Sequence, residues 1–514
     1  MILKAFLKHE ILNLLKSRRV YTTVVMFLLL FASVFTVRVI DYQRLLNQYL
    51  TDVREADEAN LDLMNYSFIN PRAIHRPLVF SIYNQGFQFN RVISIRFYEP
   101  IVNSISLNEE RNMFLTDNNQ LDITFLITFF LSLFILLISY DSVNGEKQTG
   151  TLRLLMTYPI KRQSYILKKI LGVFIFVSII FTIPYVLSLL CLVFIYTGLL
   201  TSSFFLSAFF YWFLVMLFIF FFCLLGIFVS VCTTNPNRSL VYCLLVWLMF
   251  SIILPISWKY IVSPQLFDNQ MAQVRQIRDD KAAEAHRRLV EVPEEAQIFR
   301  LDGAMNRNSG YGHSMFTTGF ERAYITLYAF LRYLNESYFP AAREVEFARD
   351  NILRKQINID NIKNMVFFFN PIVLFNDIGA KIAGNSRADY LRFLHDGRAV
   401  RDDFINLGVR EGWVFDYRFF AQYADRSLWF DYEDELMMLF NSGDQDAIWE
   451  RFGAIHESAE LFSFEMPVYR RYEQPNYSFG EIFVRIAAVL GLFVVGILGL
   501  WVCTWYKFIR YDVR

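Results

Sequence analysis

The stretch that decides the fold is Phe204–Cys232, FFLSAFFYWFLVMLFIFFFCLLGIFVSVC, which contains no charged residue. An α-helix needs about 20 consecutive apolar residues to cross the hydrocarbon core of a bilayer. Five further uncharged, apolar stretches of comparable length occur, at residues 20–37, 123–140, 170–198, 239–257 and 486–505. The sequence therefore predicts an all-α membrane domain of six transmembrane helices, of which 204–232 is the fourth. Pro184 in the third stretch should kink that helix without breaking it.

The composition agrees with a membrane protein and excludes several other classes. Of 514 residues, 55% are hydrophobic, 54 are Phe and 19% are charged, whereas soluble domains carry about 25% charged residues. The formal net charge of +1 gives no global basic field, so no nucleic-acid partner is expected. All five cysteines lie within the apolar stretches and none forms a C-x-x-C pair, which argues against a zinc module or a disulfide framework.

The distribution of charge predicts the orientation. Positively charged residues accumulate in the cytoplasmic segments of membrane proteins. Together, the segments 1–19, 141–169, 233–238 and 506–514 hold 15 Lys/Arg and 4 Asp/Glu, whereas the rest of the chain holds 35 and 45. We therefore expect both termini to be cytoplasmic. Residues 1–19, which are amphipathic, are predicted to form an interfacial helix, 141–169 a cytoplasmic loop, and 506–514 a cytoplasmic tail.

This orientation predicts that two long segments, 38–122 and 258–485, are extracytoplasmic. We expect them to form mostly helical (α+β) domains. The first should start with a helical stem, followed by a β-hairpin in which 78–83 and 87–98 flank Asn84-Gln85-Gly86. In the second, the aromatic run from Trp413 to Tyr432 is interleaved with charges. We expect part of that run to form a surface for an extracytoplasmic protein or cargo.

Motifs for catalysis or for metal and cofactor binding are not found in the sequence. The six histidines form no H-E-x-x-H pair, and no G-x-S-x-G elbow is present. The segment Gly145–Thr151, GEKQTGT, superficially resembles a phosphate-binding loop but lacks the Lys-Ser/Thr that must follow the second glycine. We expect no catalytic, metal-binding or cofactor-binding residue in this chain. The uncharged stretches also disfavour an ion-driven transporter.

The loop from Asp141 to Gly172 reads DSVNGEKQTGTLRLLMTYPIKRQSYILKKILG. Its pattern predicts a short amphipathic helix from about Gly150 to Tyr158, with Leu152, Leu155 and Met156 on one face. Pro159 ends the helix, and a basic run marks the membrane edge (Lys161, Arg162, Lys168, Lys169). An aliphatic stripe of this kind fits a groove on another protein, or it lies on lipid at the headgroups. The spacing alone favours neither alternative.

This loop resembles that of the type-2 ATP-binding-cassette (ABC) exporter permeases. The resemblance is carried by an acidic residue, a Gly-Thr-Leu step, an aliphatic coupling helix and a Pro, Arg and Lys after it (Glu146, Gly150, Thr151, Leu152, Leu155, Pro159, Arg162, Lys169). Lys168 stands where the family pattern has Gly. The stretch from Asn370 to Phe404 and the run from Glu465 to Pro475 are similar to a subgroup with a large extracytoplasmic insertion of undefined function.

The resemblance implies a permease that works as a homo- or heterodimer with two cytosolic ABC ATPases, which would bind Mg-ATP. The residues that carry it, with Met156, would then form the ATPase-coupling site. The chain would be a multi-pass protein of the bacterial cytoplasmic (inner) membrane and export an unidentified substrate, without enzymatic activity of its own. Two alternatives remain: an ATPase-driven mechanotransmitter that acts on envelope proteins without transport, and a passive membrane scaffold.

Overall fold

The structure is a computed structural model, and every structural statement below concerns the residues that it describes. These are residues 18–58, 72–87, 92–94, 121–157, 162–261, 272–281, 283–284, 287, 339–411, 447, 450 and 471–510. The predicted interfacial helix up to residue 17, Pro159 and the aromatic run from Trp413 to Tyr432 lie outside the described residues.

Six helices are long and apolar enough to cross a membrane, which confirms the predicted fold class of a six-span α-helical membrane protein. We number the described helices with printed bounds in chain order. The six are α1 (Arg18–Glu58), α2 (Ile123–Phe125 and Ser132–Ser139 around the π-helical segment Leu126–Leu131), α5 (Arg162–Ile195), α6 (Ser202–Cys232), α7 (Pro236–Leu248, the π-helical segment Met249–Ile253 and Leu254–Ile261) and α11 (Phe479–Ile509).

The other elements are short or more polar. They are β1 (Arg72–Ile74), β2 (Val92–Ser94), α3 (Asn144–Gln148), α4 (Thr151–Thr157), α8 (Phe339–Val366), α9 (Pro371–Ala383) and α10 (Arg387–Arg410). A further helical segment covers 272–281. The predicted stem is confirmed, because α1 continues unbroken to Glu58. Helix α5 likewise runs through Pro184 without interruption.

The bundle has two distinguishable ends. We call the end that carries α3 and α4 the loop end, and the end where α5 passes into α6 the domain end. The most buried helix is α6, which is surrounded by α2, α5, α9 and α11. Tyr211, Phe218 and Phe222 on it are wholly buried, so this helix forms the centre of the hydrophobic core.

The predicted hairpin at residues 78–98 is wrong in its first strand. Residues Val79–Ile82 form a turn of 3-10 helix, and β2 pairs in antiparallel register with β1, with Ala73 opposite Ile93. The 3-10 turn is instead buried in the domain end, where the hydroxyl groups of Tyr83 and Ser188 form a hydrogen bond of 2.7 Å. Val79, Phe80 and Ile82 are almost inaccessible, so the apolar run that favoured a strand belongs to the core.

Helix α9 also differs from the expectation, because it lies inside the bundle and not in an external domain. The Phe375 ring packs against Phe218 at 4.8 Å between centroids, and Ser207 at the start of α6 donates to the carbonyl of Ile382 at 3.0 Å. Phe218 lies about 24 Å along α6 at 1.5 Å per residue, roughly half its length. Helix α9 is therefore a re-entrant helix that runs from mid-bundle to the domain end.

The start of α9 is held by Asn370. Its side-chain oxygen accepts from the N–H of Ile372 at 3.0 Å, and its Nδ2 donates to the carbonyl of Phe250 at 3.1 Å. Phe250 lies in the π-helical segment of α7, where Pro255, five residues on, has no N–H to complete a π-type bond. Because a polar backbone group in a bilayer must be satisfied within the protein, this amide stabilises both helices.

The two predicted external segments meet in a single packed unit at the domain end. The N–H of Phe87 donates to the carbonyl of Asn385 at 2.7 Å, and Asn385 Nδ2 donates to the carbonyl of Asn84 at 3.3 Å. Phe87 also joins Tyr390 and Phe393 in a small hydrophobic cluster. The segment 72–87 thus links α1 to the α9–α10 region.

Candidate coupling site at the loop end

The two short helices of the loop are separated by a glycine that the backbone requires. Gly150 has a φ of +74°, and a Cβ there would meet nothing within 4 Å. The need for glycine is therefore conformational and not steric, since L-residues rarely adopt positive φ. Its N–H donates to the carbonyl of Lys147 at 3.3 Å, which closes α3 before α4 begins at Thr151. Thr151 Oγ1 in turn donates to the carbonyl of Glu146 at 3.3 Å.

Glu146 attaches α3 to α5. Its carboxylate forms an ion pair with Lys169 at 2.6 Å and accepts a short hydrogen bond from the hydroxyl of Tyr165. The Lys169 side chain is 7% exposed and that of Glu146 24%. The structure therefore brings two of the sequence-predicted site residues together. Lys168 and Lys169, two members of the basic run, are both buried.

A second attachment joins α3 to the end of α6. Lys147 Nζ donates to the carbonyls of Val231 at 2.6 Å and Thr233 at 3.0 Å. Ser230 Oγ accepts from the N–H groups of Val143 and Asn144 at 3.0 and 3.1 Å. The last carbonyls of a helix have no intrahelical partner, and a cation near them is favourable. Lys147 thus both caps α6 and ties the loop to it.

Helix α4 is amphipathic as predicted, but its aliphatic face turns toward its own bundle. Leu152 is 2% exposed and belongs to the main core, and Leu155 and Met156 pack against that core while half-buried. The outer face instead presents Arg153 and Leu154, the latter 65% exposed. The sequence shows the stripe but not the body against which it packs.

Arg162 connects the start of α5 to the end of α11. Its Nη1 donates to the carbonyl of Ile509 at 2.8 Å, and one turn later Tyr165 stacks on Phe508 with centroids 5.6 Å apart. Of the candidate residues, Glu146, Lys169 and Arg162 therefore bind neighbouring helices, and Leu152, Leu155 and Met156 pack on the core.

Sequence reasoning missed Lys147, Ser230 and Tyr165. Tyr165 stands four residues before Lys169, on the same helical face, and this spacing was a usable signal. No local pattern links Lys147 to the end of α6, because its hydrogen bonds to the carbonyls of Ser230, Val231 and Thr233 cross more than eighty positions of the chain.

The domain end contains a similar cluster around Asp389 on α10. Its carboxylate accepts from the hydroxyl of Tyr477 at 2.8 Å and pairs closely with Arg485 on α11. The Arg485 guanidinium also lies 4.2 Å from the centroid of the Tyr477 ring. Burial, together with the nearby Asp389, raises the pKa of Tyr477 to about 12, so its hydroxyl stays a hydrogen-bond donor at neutral pH.

Six helices that are long and apolar enough to cross a membrane define a multi-pass α-helical membrane protein. Residues 5–391 match the model of the ABC-2 family transporter protein. The chain belongs to this family of ABC transporter permeases.

The chain is also similar, over a short stretch, to the probable ABC transporter permease protein NosY of Pseudomonas aeruginosa. The two are 48% identical over 50 residues, which make up 10% of this chain and 18% of that protein. The chain therefore spans less than a fifth of this relative's length.

Proposed function

We propose that this chain is the membrane subunit of an ABC exporter and that α4 receives the movement of a separate cytosolic ATPase. The observation that carries the proposal is the attachment of α3 to α5 through Glu146 and to α6 through Lys147, together with the link from α5 to α11 through Arg162. A force on α4 would reach α5 and α6 through these contacts, and α11 through α5. The charge bias of the loop segments supports a cytoplasmic loop end.

The outer face of α4 is the docking surface in this proposal. Leu152, Leu155 and Met156 anchor α4 to the bundle, which leaves Arg153 and Leu154 to meet the ATPase. The exposed leucine offers apolar area that a partner can bury, and arginine is a residue type enriched among interface hot spots. The ATPase would supply Mg-ATP, a second permease copy would complete the membrane part, and the substrate stays unidentified.

Leu154→Asp tests the docking surface. It should weaken association with the ATPase by about 2 kcal/mol, roughly thirtyfold, because it places a charge at an apolar contact. The measurement is the amount of ABC ATPase that co-purifies with the tagged chain from its native host, together with ATP turnover.

The matched control is Asn237→Asp, which adds the same charge at an exposed position in the first turn of a different helix, α7. It should leave ATPase recovery unchanged. Equal recovery and equal turnover for wild type and Leu154→Asp would refute the docking surface. If no ATPase co-purifies with the wild-type chain, the passive scaffold is favoured.

A mechanotransmitter is the second candidate, and the link at the domain end favours it. Asp389 ties α10 to α11, so a movement of the spans would also move the unit formed by 72–87 and α10. The two candidate functions are distinguished by measuring ATP turnover in vesicles that contain the permease–ATPase complex. Envelope proteins added at the domain side should raise the ATP turnover of a mechanotransmitter, whereas an exporter should respond to its transported substrate.

A further inference from the structure

A groove of about 490 Å³ opens at the loop end between α5 and α11. One wall is the start of α5 and the other the last third of α11, with Trp501 and Trp505. Ile170 and Trp501 each lie eight residues from the loop end of their helix, about 12 Å at 1.5 Å per residue. The groove therefore extends from the membrane boundary into the apolar layer.

The lining changes from polar to apolar along this depth. Gln163 and Ser164 lie at the loop end, and Ile166, Leu167 and Ile170 continue the wall inward. Tryptophan is favoured where an apolar layer meets water. The contacts of Arg162 with Ile509 and of Tyr165 with Phe508 fix the two walls relative to each other.

The exposed charges at the loop ends of the two walls are cationic. Arg162 begins one wall, and Arg510 follows the last residue of the other, both exposed. None of the residues that line the groove is Asp or Glu, and the nearby Glu146 carboxylate is paired with Lys169. A cationic rim above an apolar, tryptophan-lined groove is complementary to a molecule with an anionic head and a hydrocarbon tail.

We propose that this groove binds an anionic phospholipid of the leaflet that meets the loop end. Its acyl chain lies along Ile170 and Trp501, and its phosphate lies near Arg162. The lipid would rest against the α5–α11 contact, beside the point where Glu146 and Lys169 join α3 to α5. The proposal requires a membrane-embedded loop end and does not depend on the ATPase partner.

The two groove tryptophans serve as probes. The full chain is placed in vesicles that contain brominated phosphatidylglycerol or brominated phosphatidylcholine, and bromine quenches tryptophan fluorescence on contact. The groove signal is the fluorescence of wild type minus that of the Trp501→Phe/Trp505→Phe variant. We expect the anionic lipid to be preferred about fivefold, the effect of one cation near an anionic headgroup.

Arg162→Gln should remove most of this preference. Arg238→Gln deletes the same charge at an exposed position of the loop end on α7 and should keep it. Equal quenching by both lipids would overturn the proposal, since the groove would then hold bulk lipid. Absence of quenching by either lipid would also overturn it, because protein, such as residues 1–17 or a partner chain, would cover the groove.

Native mass spectrometry of the purified chain gives an independent readout. Phosphatidylglycerol should stay bound at detergent concentrations that remove phosphatidylcholine. Leu167→Trp, which narrows the groove without changing a charge, should reduce that retention. Retention that is unchanged in this variant would place the lipid elsewhere and refute the assignment.

Discussion

The carboxylate clusters at the two ends of the bundle contain similar groups, namely a carboxylate, a tyrosine and a cation. They differ in how far apart along the chain the segments they join lie. Glu146 binds a tyrosine and a lysine that both lie on the next long helix, α5. Asp389 binds Tyr477 and Arg485, which come almost ninety or more residues later and lie before and within α11. The Asp389 side chain is 5% exposed and that of Glu146 24%.

The cations show the opposite order of burial, because Lys169 is 7% and Arg485 21% exposed. Each end therefore contains one deeply buried charge, whose loss of a partner is strongly destabilising. The Asp389 carboxylate also accepts from the N–H and the hydroxyl of Ser386, so it has more partners than Glu146. We infer that the domain end is the more rigid connection. In the proposed function, a movement that enters at α3 and α4 would reach α10 through α11.

The largest effect is expected for Asp389→Asn. It leaves Arg485 partly buried without its counter-charge and should lower the free energy of unfolding by about 3 kcal/mol. Unfolding is followed in mixed detergent micelles by circular dichroism. Asp396→Asn on the same helix is the control, because its partner Arg392 lies at 3.8 Å and both side chains are about half exposed. That substitution should cost about 0.5 kcal/mol or less, and equal costs would contradict a rigid domain end.

Asn370→Ala should have an intermediate effect. It removes the N-cap of α9 and the hydrogen bond to the Phe250 carbonyl, which together should cost about 2 kcal/mol. Asn235→Ala removes a cap of the same type from α7, where Asn235 accepts from the N–H of Asn237 in an exposed turn.

The control should cost about 1 kcal/mol or less. Thermal unfolding of the two variants under the same detergent conditions compares them. A larger loss for Asn235→Ala than for Asn370→Ala would show that the mid-bundle cap does not stabilise the re-entrant helix.

The smallest effect on stability is expected for Glu146→Gln. Glutamine can still accept from Tyr165 and Lys169, but it leaves Lys169, whose side chain is 7% exposed, without its counter-charge. The unfolding free energy should therefore fall by about 1.5 kcal/mol. The functional effect should be larger: ATPase still co-purifies, but its turnover no longer responds to the permease. Glu146→Gln combined with Lys169→Gln should regain stability without regaining that response. If Glu146→Gln alone destabilised the protein as much as Asp389→Asn, the two ends of the bundle would not differ in rigidity.

The sequence predicted the six spans and α4 because a long uncharged run and an aliphatic stripe are local signals. It could not place α9, because 13 residues are too few to span a bilayer and are equally typical of a buried soluble helix. The Asn84-Gln85-Gly86 turn was misassigned for a related reason. Gly86 has a positive φ as a hairpin turn requires, but it is also approached by the backbone of Asn385, three hundred residues away.

The candidate site shows the same division between local and distant information. The pairing of Glu146 with Lys169 follows a family-like pattern, and Tyr165 lies one turn from it. By contrast, the burial of Leu152 and the exposure of Leu154 depend on how α4 rests on the bundle. A helical stripe indicates that a surface is buried but does not identify the surface that buries it.

The position of α9 has a consequence for how the chain is inserted into the membrane. Its partner α6 is synthesised before it, but its other partner, α11, is the last described helix. An insertion intermediate that ends before Ser478 therefore leaves the α11-facing side of α9 uncovered, although every earlier span is already in place. We expect α9 to reach its place late, after the final span enters the bilayer. A cysteine at Ile372 should then react with a membrane-permeant maleimide in a chain truncated at residue 478 and be protected in the full chain; equal protection in both would show that α9 docks without α11.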